Sequence, residues 1–589
     1  MGLGFTIDSP VKVARFGINS VISIIEDHLV EQMREFYCHK FDKPYVAIKP
    51  DSEDHRARRI TAYLNLINEI VNNQFELLKT HKFGMNTELD KYFTLLPESS
   101  PLKVQYQKML LLPEGEQKKN IQSELRAKMV VGSIDVNIMT KCDSPSYDKD
   151  GVKMPDEFSD AHAALRGYAL SDLNSSVILS AGLNPKLYSY CSTFTDFYPD
   201  ANGEIKKKIV LKVSDYRSSY IQGKFLVNKG VWISEFRIES GLNCGGHAFP
   251  TEGLLLGPIL QEFKEKKQEL QSELGQLYKN HLATKRPGCK LNSEEIKITV
   301  QGGIGTADED AFLIKQYNLD GTGWGSPFLL VPEATNVDAE TLQALTKAKK
   351  EDYYLSHSSP LGIPFNNFRN STSEKQRRER IEEGKPGSPC YKKFLSFTTE
   401  FTEKPICLAS RQYQKLKIEQ LTNDIADPKM LSKQIELTEE RDCLCEGLGS
   451  SVLIKNQLKP SHKLTAVAIC PGPNLAYFSK VMSLEEMVNH IYGRANALNS
   501  LKRPHVFINE LSMYVDYLKK EIENYKDSFH AKKQSYLDNF KQNLKKGIDY
   551  YEQLIPEMRK DFKENINDFS ESLMNYSKTL AELQIPVLQ

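Results

Sequence analysis

At 589 residues the chain is too long for one compact core, so roughly two to four domains are expected, of which a barrel of strands and helices can fill half the length. Hydrophobic residues make up 40% and charged residues 26%, and 77 Lys+Arg balance 77 Asp+Glu, which excludes a general electrostatic binder of nucleic acid or membranes. No run of roughly 18 apolar residues is present to span a bilayer, the first residues carry no export signal, and ten cysteines without small-domain spacing suit a reducing, cytoplasmic compartment with thiols free or metal-bound.

In chain order, residues 5–11 read as extended around Pro10, and Ser20-Val21-Ile22-Ser23-Ile24-Ile25 as a strand followed by a helix through Met33. Ile60, Leu64, Ile67, Ile70 and Val71 recur at helical spacing, predicting a helix over 56–78, with another over 116–128. The block 50–130 is a helical insertion between early strands or a free helical domain. Strand signals follow at 134–139, 177–182, 209–213, 233–238 and 296–300, with helices expected over 218–228, 258–279 and 308–317. Such alternation marks parallel strands joined by crossover helices, here a (β/α)8 barrel. The part 264–273 is polar nearly all round, so it projects into solvent or meets a partner. Residues 370–384 read as a flexible connection or exposed loop. Residues 506–583 predict at least two long helices folded as a hairpin, interrupted only at Pro556. The expected division is a barrel over 1–365, a cysteine-containing segment over 366–480 and a helical domain over 481–589.

Glycine runs close several of these strands. Gly241-Leu242-Asn243-Cys244-Gly245-Gly246-His247 follows one, Gln301-Gly302-Gly303-Ile304 another, and Gly325-Ser326 closes a third. Glycines at the carboxyl ends of parallel strands let backbone amides approach an anion, usually a phosphate, and two such runs late in a barrel match the standard phosphate loops. His247 is either a proton-transfer residue near neutral pH or a satisfied loop histidine.

Taken in order over about 200 residues, these runs resemble the nitronate monooxygenase (2-nitropropane dioxygenase) family of FMN-dependent barrels. Val136-Asn137-Ile138 is similar to the family's Val-Asn-Leu strand, and 177–185, with Gly182 and Pro185, to its strand ending in Gly-x-Pro. Lys212 sits where the family has a strand lysine, and 241–247 resembles its Gly-x-Glu-Ala-Gly-Gly-His signature. Gly302-Gly303-Ile304 resembles its phosphate loop, and Gly325-Ser326-Pro327-Phe328 its Gly-Thr-x-Phe. Asn243, Cys244 and Gln301 depart from the pattern. The resemblance implies an FMN-dependent oxidoreductase acting on a small organic or acyl substrate with an electron donor or acceptor. Asn137, Gly182, Lys212, Gly245, Gly246, Gly302, Gly303, Gly325 and Ser326 would bind the cofactor, with His247 as acid or base and Lys212 near the ring or in an interior ion pair. The helical insertion, the cysteine region and the C-terminal helices have no counterpart in the small enzymes of that family. Its larger enoyl reductase branch of fatty-acid and polyketide synthesis also carries extra C-terminal parts, so an enzyme of that branch is the alternative the resemblance implies. A barrel without catalysis, acting as a scaffold, is the other reading, and the C-terminal helices are a candidate surface for self-association. Cys390, Cys407, Cys443 and Cys445 are either four ligands for zinc or an iron–sulfur cluster or buried inert thiols.

Overall fold

The structure, a computed structural model, describes residues 3–24, 26–84, 86–140, 143–180, 182–245, 251–459, 466–525, 531–562 and 566–586. Seven strands form one parallel sheet in chain order: β1 (Ser20–Ile24), β2 (Ile134–Ile138), β3 (Ser175–Leu179), β4 (Lys207–Val213), β5 (Ile233–Glu239), β6 (Lys297–Gln301) and β7 (Gly321–Gly323). Parallel neighbours need a crossover, and the helices Tyr216–Asn228, Leu256–Lys285 and Ala307–Tyr317 supply it between β4 and β7. The sheet is curled into a half-barrel, because residues of β1 and of β7 line the same cavity. Among the described residues β7 does not pair with β1. A separate antiparallel hairpin is made by β8 (Tyr353–Ser356) and β9 (Phe365–Phe368).

The strands explain which face does what. Ile134-Asp135-Val136-Asn137-Ile138 alternates apolar and polar, as do β5 and β6. Ile22, Val136, Val177, Leu211, Phe236, Ile238 and Val300 point outward and are buried under the surrounding helices, each such side chain contributing about 1.5–3 kcal/mol by leaving water. The polar positions point inward. Parallel sheets covered on both faces usually read as continuous apolar runs, so alternation here means that the inner face is wet.

Helices His55–Thr80, Glu88–Thr94, Pro101–Leu110 and Glu116–Lys128 lie between β1 and β2. Four expectations need correction. The segment around Pro10 is the helix Ser9–Val13, with the proline in the first turn, where its missing N–H has no partner to lose. The stretch 370–384 contains the helix Thr372–Glu382. Ser371 caps it by accepting from the Glu374 amide, and Glu374 is itself buried against Asn367 and Arg377. The helix Leu256–Lys285 buries Leu270 and Leu274, and Leu274 packs beside Gly223 of the neighbouring helix, so 264–273 has an inner face. Pro556 lies inside the helix Ala531–Asp561. A mid-helix proline costs about 3 kcal/mol, and burial of Tyr551, Leu554 and Met558 around it offsets that. Among the described residues the stretch 506–583 has three helices, Val506–Tyr525, Ala531–Asp561 and Ile566–Glu582, and they share one hydrophobic cluster with the sheet. Among the described residues no helix is long and apolar enough to cross a membrane.

Candidate functional site at the carboxyl ends of the strands

The curled sheet encloses a cavity of about 560 Å³. Its floor is the polar face of the strands: Asp135 and Asn137 of β2, Lys212 of β4, Glu235, Arg237 and Glu239 of β5, and Thr299 and Gln301 of β6. These groups satisfy one another across the register. Lys212 Nζ lies 3.2 Å from Glu239 Oε1, which also accepts from Gln301 Nε2 at 2.6 Å. Glu235 Oε1 accepts from Arg237 Nε at 2.8 Å and from Thr299 Oγ1 at 2.5 Å. Asp135 accepts from the Ser176 amide, yet burial pushes its carboxyl above the usual range. Lys212 is thus an interior ion-pair partner and a cavity residue at once.

The rim is made of the glycine runs. Gly245, Gly302, Gly303, Gly325 and Ser326 all line the cavity, together with Asn137 and Lys212. Gly182, with φ of 117°, does not line it. Gly246 and His247 lie outside the described residues. Gly302 and Gly303 have φ of 106° and 79°. A Cβ on Gly302 would sit 2.9 Å from the Asn243 backbone, and one on Gly303 2.5 Å from Leu242. The loops after β5 and β6 therefore pack backbone to backbone. Gly325 approaches Cys244, whose thiol donates to the Cys470 carbonyl at 3.3 Å. Asn243 is 6% exposed and lines the cavity, and its Oδ1 is buried without a hydrogen-bond partner among the described residues. A buried unpaired amide oxygen costs about 1–3 kcal/mol, which a donor on a bound molecule would remove.

Both loops are held from behind by the C-terminal region. Arg503 donates to the Gly303 carbonyl at 2.6 Å, to Asn474 at 2.8 Å and to Glu309 at 2.6 Å. Glu309 in turn accepts from the Gly305 and Val506 amides. Burial opposes the Glu309 charge, but Arg503 and the amides hold the carboxyl below its usual value. Glu510 of the helix Val506–Tyr525 accepts from Ser240 Oγ at 2.7 Å, from the Gly241 amide at 3.3 Å and from the Leu256 amide at 2.7 Å. Burial pushes its carboxyl up to about 7.

Composition of the cavity bears on the cofactor expected. A volume of this size takes a flavin, the glycine rim offers backbone amides for a phosphate, and Asn243 offers an acceptor still in want of a donor. The cations of the floor are already paired, so a phosphate would rest on amides alone. The residues present fit the group on these terms.

The four candidate metal cysteines sit on one side of the fold. Cys390 and Cys407 have their thiols side by side, with the hydrogen bond from Cys407 holding Cys390 low and pushing Cys407 up. Cys443 and Cys445 are near enough to act on this pair electrostatically. Among the described residues no group of three or more His, Cys, Asp or Glu side chains is arranged to hold a metal ion. Among the described residues none of the four is joined to another cysteine in a disulfide, and Cys407 and Cys445 are buried.

The glycine runs, Asn137 and Lys212 were legible from sequence. The inward charges of β5 and the polar residues of β6 were missed, although their alternation inside parallel strands signals a wet inner face. Arg503 and Glu510 were missed because nothing local to them marks a contact with residues some 200 or more positions away. No protein-family model matches the chain, and no curated protein matches it.

Proposed function

We propose that this protein is an FMN-dependent oxidoreductase similar to the nitronate monooxygenases, acting on a small organic or acyl substrate. Its curled sheet is then the greater part of an eight-stranded barrel. The observation that carries the reading is the convergence of Asn137, Lys212 and three glycine runs from separate strands on one cavity at their carboxyl ends, the face on which barrels bind ligands. Gly302, Gly303, Gly325 and Ser326 would hold the phosphate, and Asn137 and Asn243 would face the ring system. Lys212, paired with Glu239, sets the local field. A bound flavin would supply the redox chemistry, and the chain supplies position and electrostatics. His247 would move a proton to or from the substrate. The cavity-lining loops are braced by Arg503 and Glu510 of the C-terminal region.

The deciding experiment is an absorbance spectrum of the purified chain with mass spectrometry of any released cofactor. FMN near one per chain is expected; a colourless protein that takes up no added FMN overturns the reading. In His247→Ala, FMN should stay bound while turnover per flavin falls about 10²–10⁴-fold. Equal turnover per flavin removes His247 from the chemistry.

A further inference from the structure

A second cavity of about 290 Å³ lies between the β8–β9 hairpin and the helix Val506–Tyr525. The loop after β5 and the segment around Asn474 lie between it and the first: Leu242 faces the second cavity, its neighbour Asn243 the first, and Asn474 borders both. From the second cavity's wall, Asn366 donates to the Asn243 carbonyl at 3.2 Å. Tyr353, Tyr354, Tyr477 and Tyr517 line this space with Met513. Tyrosine rings favour stacked or edge-on contact with flat groups. An apolar cavity of roughly 150 Å³ accommodates benzene, so about twice that volume takes a body of two rings.

The charges at the mouth are uneven. His357 is paired with Glu440, Glu521 with Lys533 and Asp516 with Lys519. Lys350 and Lys520 are exposed at the mouth, and Lys520 is also near enough to Glu440 to help hold that carboxyl low. Tyr353 Oη is buried without a hydrogen-bond partner among the described residues. Apolar and aromatic walls, an unsatisfied hydroxyl and two exposed lysines at the mouth describe one ligand chemistry.

We infer that the second cavity binds a small aromatic anion, its rings among the tyrosines and its charge toward Lys350 and Lys520. This site does not depend on the flavin reading, since none of its walls belongs to the floor of the first cavity. Naphthalenesulfonate, which has two fused rings and one anionic group, is the probe, followed by its own fluorescence. The full chain should bind it saturably, one per chain, and more weakly as salt rises. Ser512→Trp fills the cavity and should abolish the saturable component. Lys520→Glu should weaken it several-fold. If Ser512→Trp loses cooperative melting, Lys350→Glu combined with Lys520→Glu decides. Equal affinity in the native chain and in the variants places the probe elsewhere and overturns the inference. Flavin content measured on the same samples reports on the first cavity alone, so the two readings fail separately.

Discussion

The loops after β5 and β6 both carry glycine runs to the same cavity, and each is gripped from behind by one buried carboxylate. After β6 the grip is Glu309, paired with Arg503 and held ionised. After β5 it is Glu510, which has amide and hydroxyl donors but no cation among the described residues, with Tyr551 beside it, and is pushed up to about 7. The difference shows two ways of placing a charge inside a protein. A cation makes the carboxylate insensitive to neutral pH, whereas dipoles alone leave it on the edge of neutralisation. One loop is thereby fixed, and the other is open to titration.

The largest effect expected is at the paired grip. Arg503→Met leaves Glu309 buried without its cation and frees the Gly303 carbonyl and Asn474. Removing one partner of a buried ion pair costs about 3–5 kcal/mol, so denaturant unfolding should show a loss of that order. A loss no larger than that of an ordinary surface change would mean that Arg503 does not carry the loop after β6.

The unpaired grip should show itself in pH. Glu510 moves from its ordinary value near 4.5 to about 7 on folding, so the folded chain holds this proton more tightly than the unfolded chain. Its contribution is therefore full below about 4.5 and is lost as pH rises through about 7, a change on the order of 3 kcal/mol. Glu309, whose value is lowered, has the opposite sign: its contribution is present above the unfolded value and lost as pH falls. Unfolding free energies at several pH values between 5 and 8 should fall with pH in the native chain, and that slope should flatten in Glu510→Gln. An unchanged slope in the variant assigns the dependence to other groups.

The smallest effect separates the glycines themselves. Gly303→Ala forces a side chain into a φ of 79° with its Cβ 2.5 Å from Leu242, and such strain costs about 1–3 kcal/mol. Among the described residues Gly245→Ala meets Asn243 Oδ1 alone, at 3.4 Å, and should cost less than Gly303→Ala. Melting temperature and flavin content of the two variants, measured together, sharpen the comparison; equal losses would mean that both loops yield alike.

Much of the fold was legible because helices and strands carry local periodicity. The helix Glu116–Lys128 was expected at the same bounds, and His55–Thr80 within two residues. Misreadings fell where two local signals compete. Pro10 is a strand-edge residue or a first-turn residue, and only its neighbours decide. The charged stretch after Ser371 reads as solvent-exposed until Glu374 is seen buried between Asn367 and Arg377.

By itself the sequence determined the parallel strands, the helices between them and the glycine-closed ends, since these depend on residues within a few positions of one another. It also placed polar residues at alternate positions of β2, β5 and β6, which fixes a wet face as soon as the sheet curls. Tertiary structure alone decided that Arg503 and Glu510, from the far end of the chain, close over the glycine loops, and that a second cavity forms beside the first. A hydrogen bond between residues 200 or more positions apart leaves no periodic trace, because its partners are chosen by the folded surface and not by spacing along the chain.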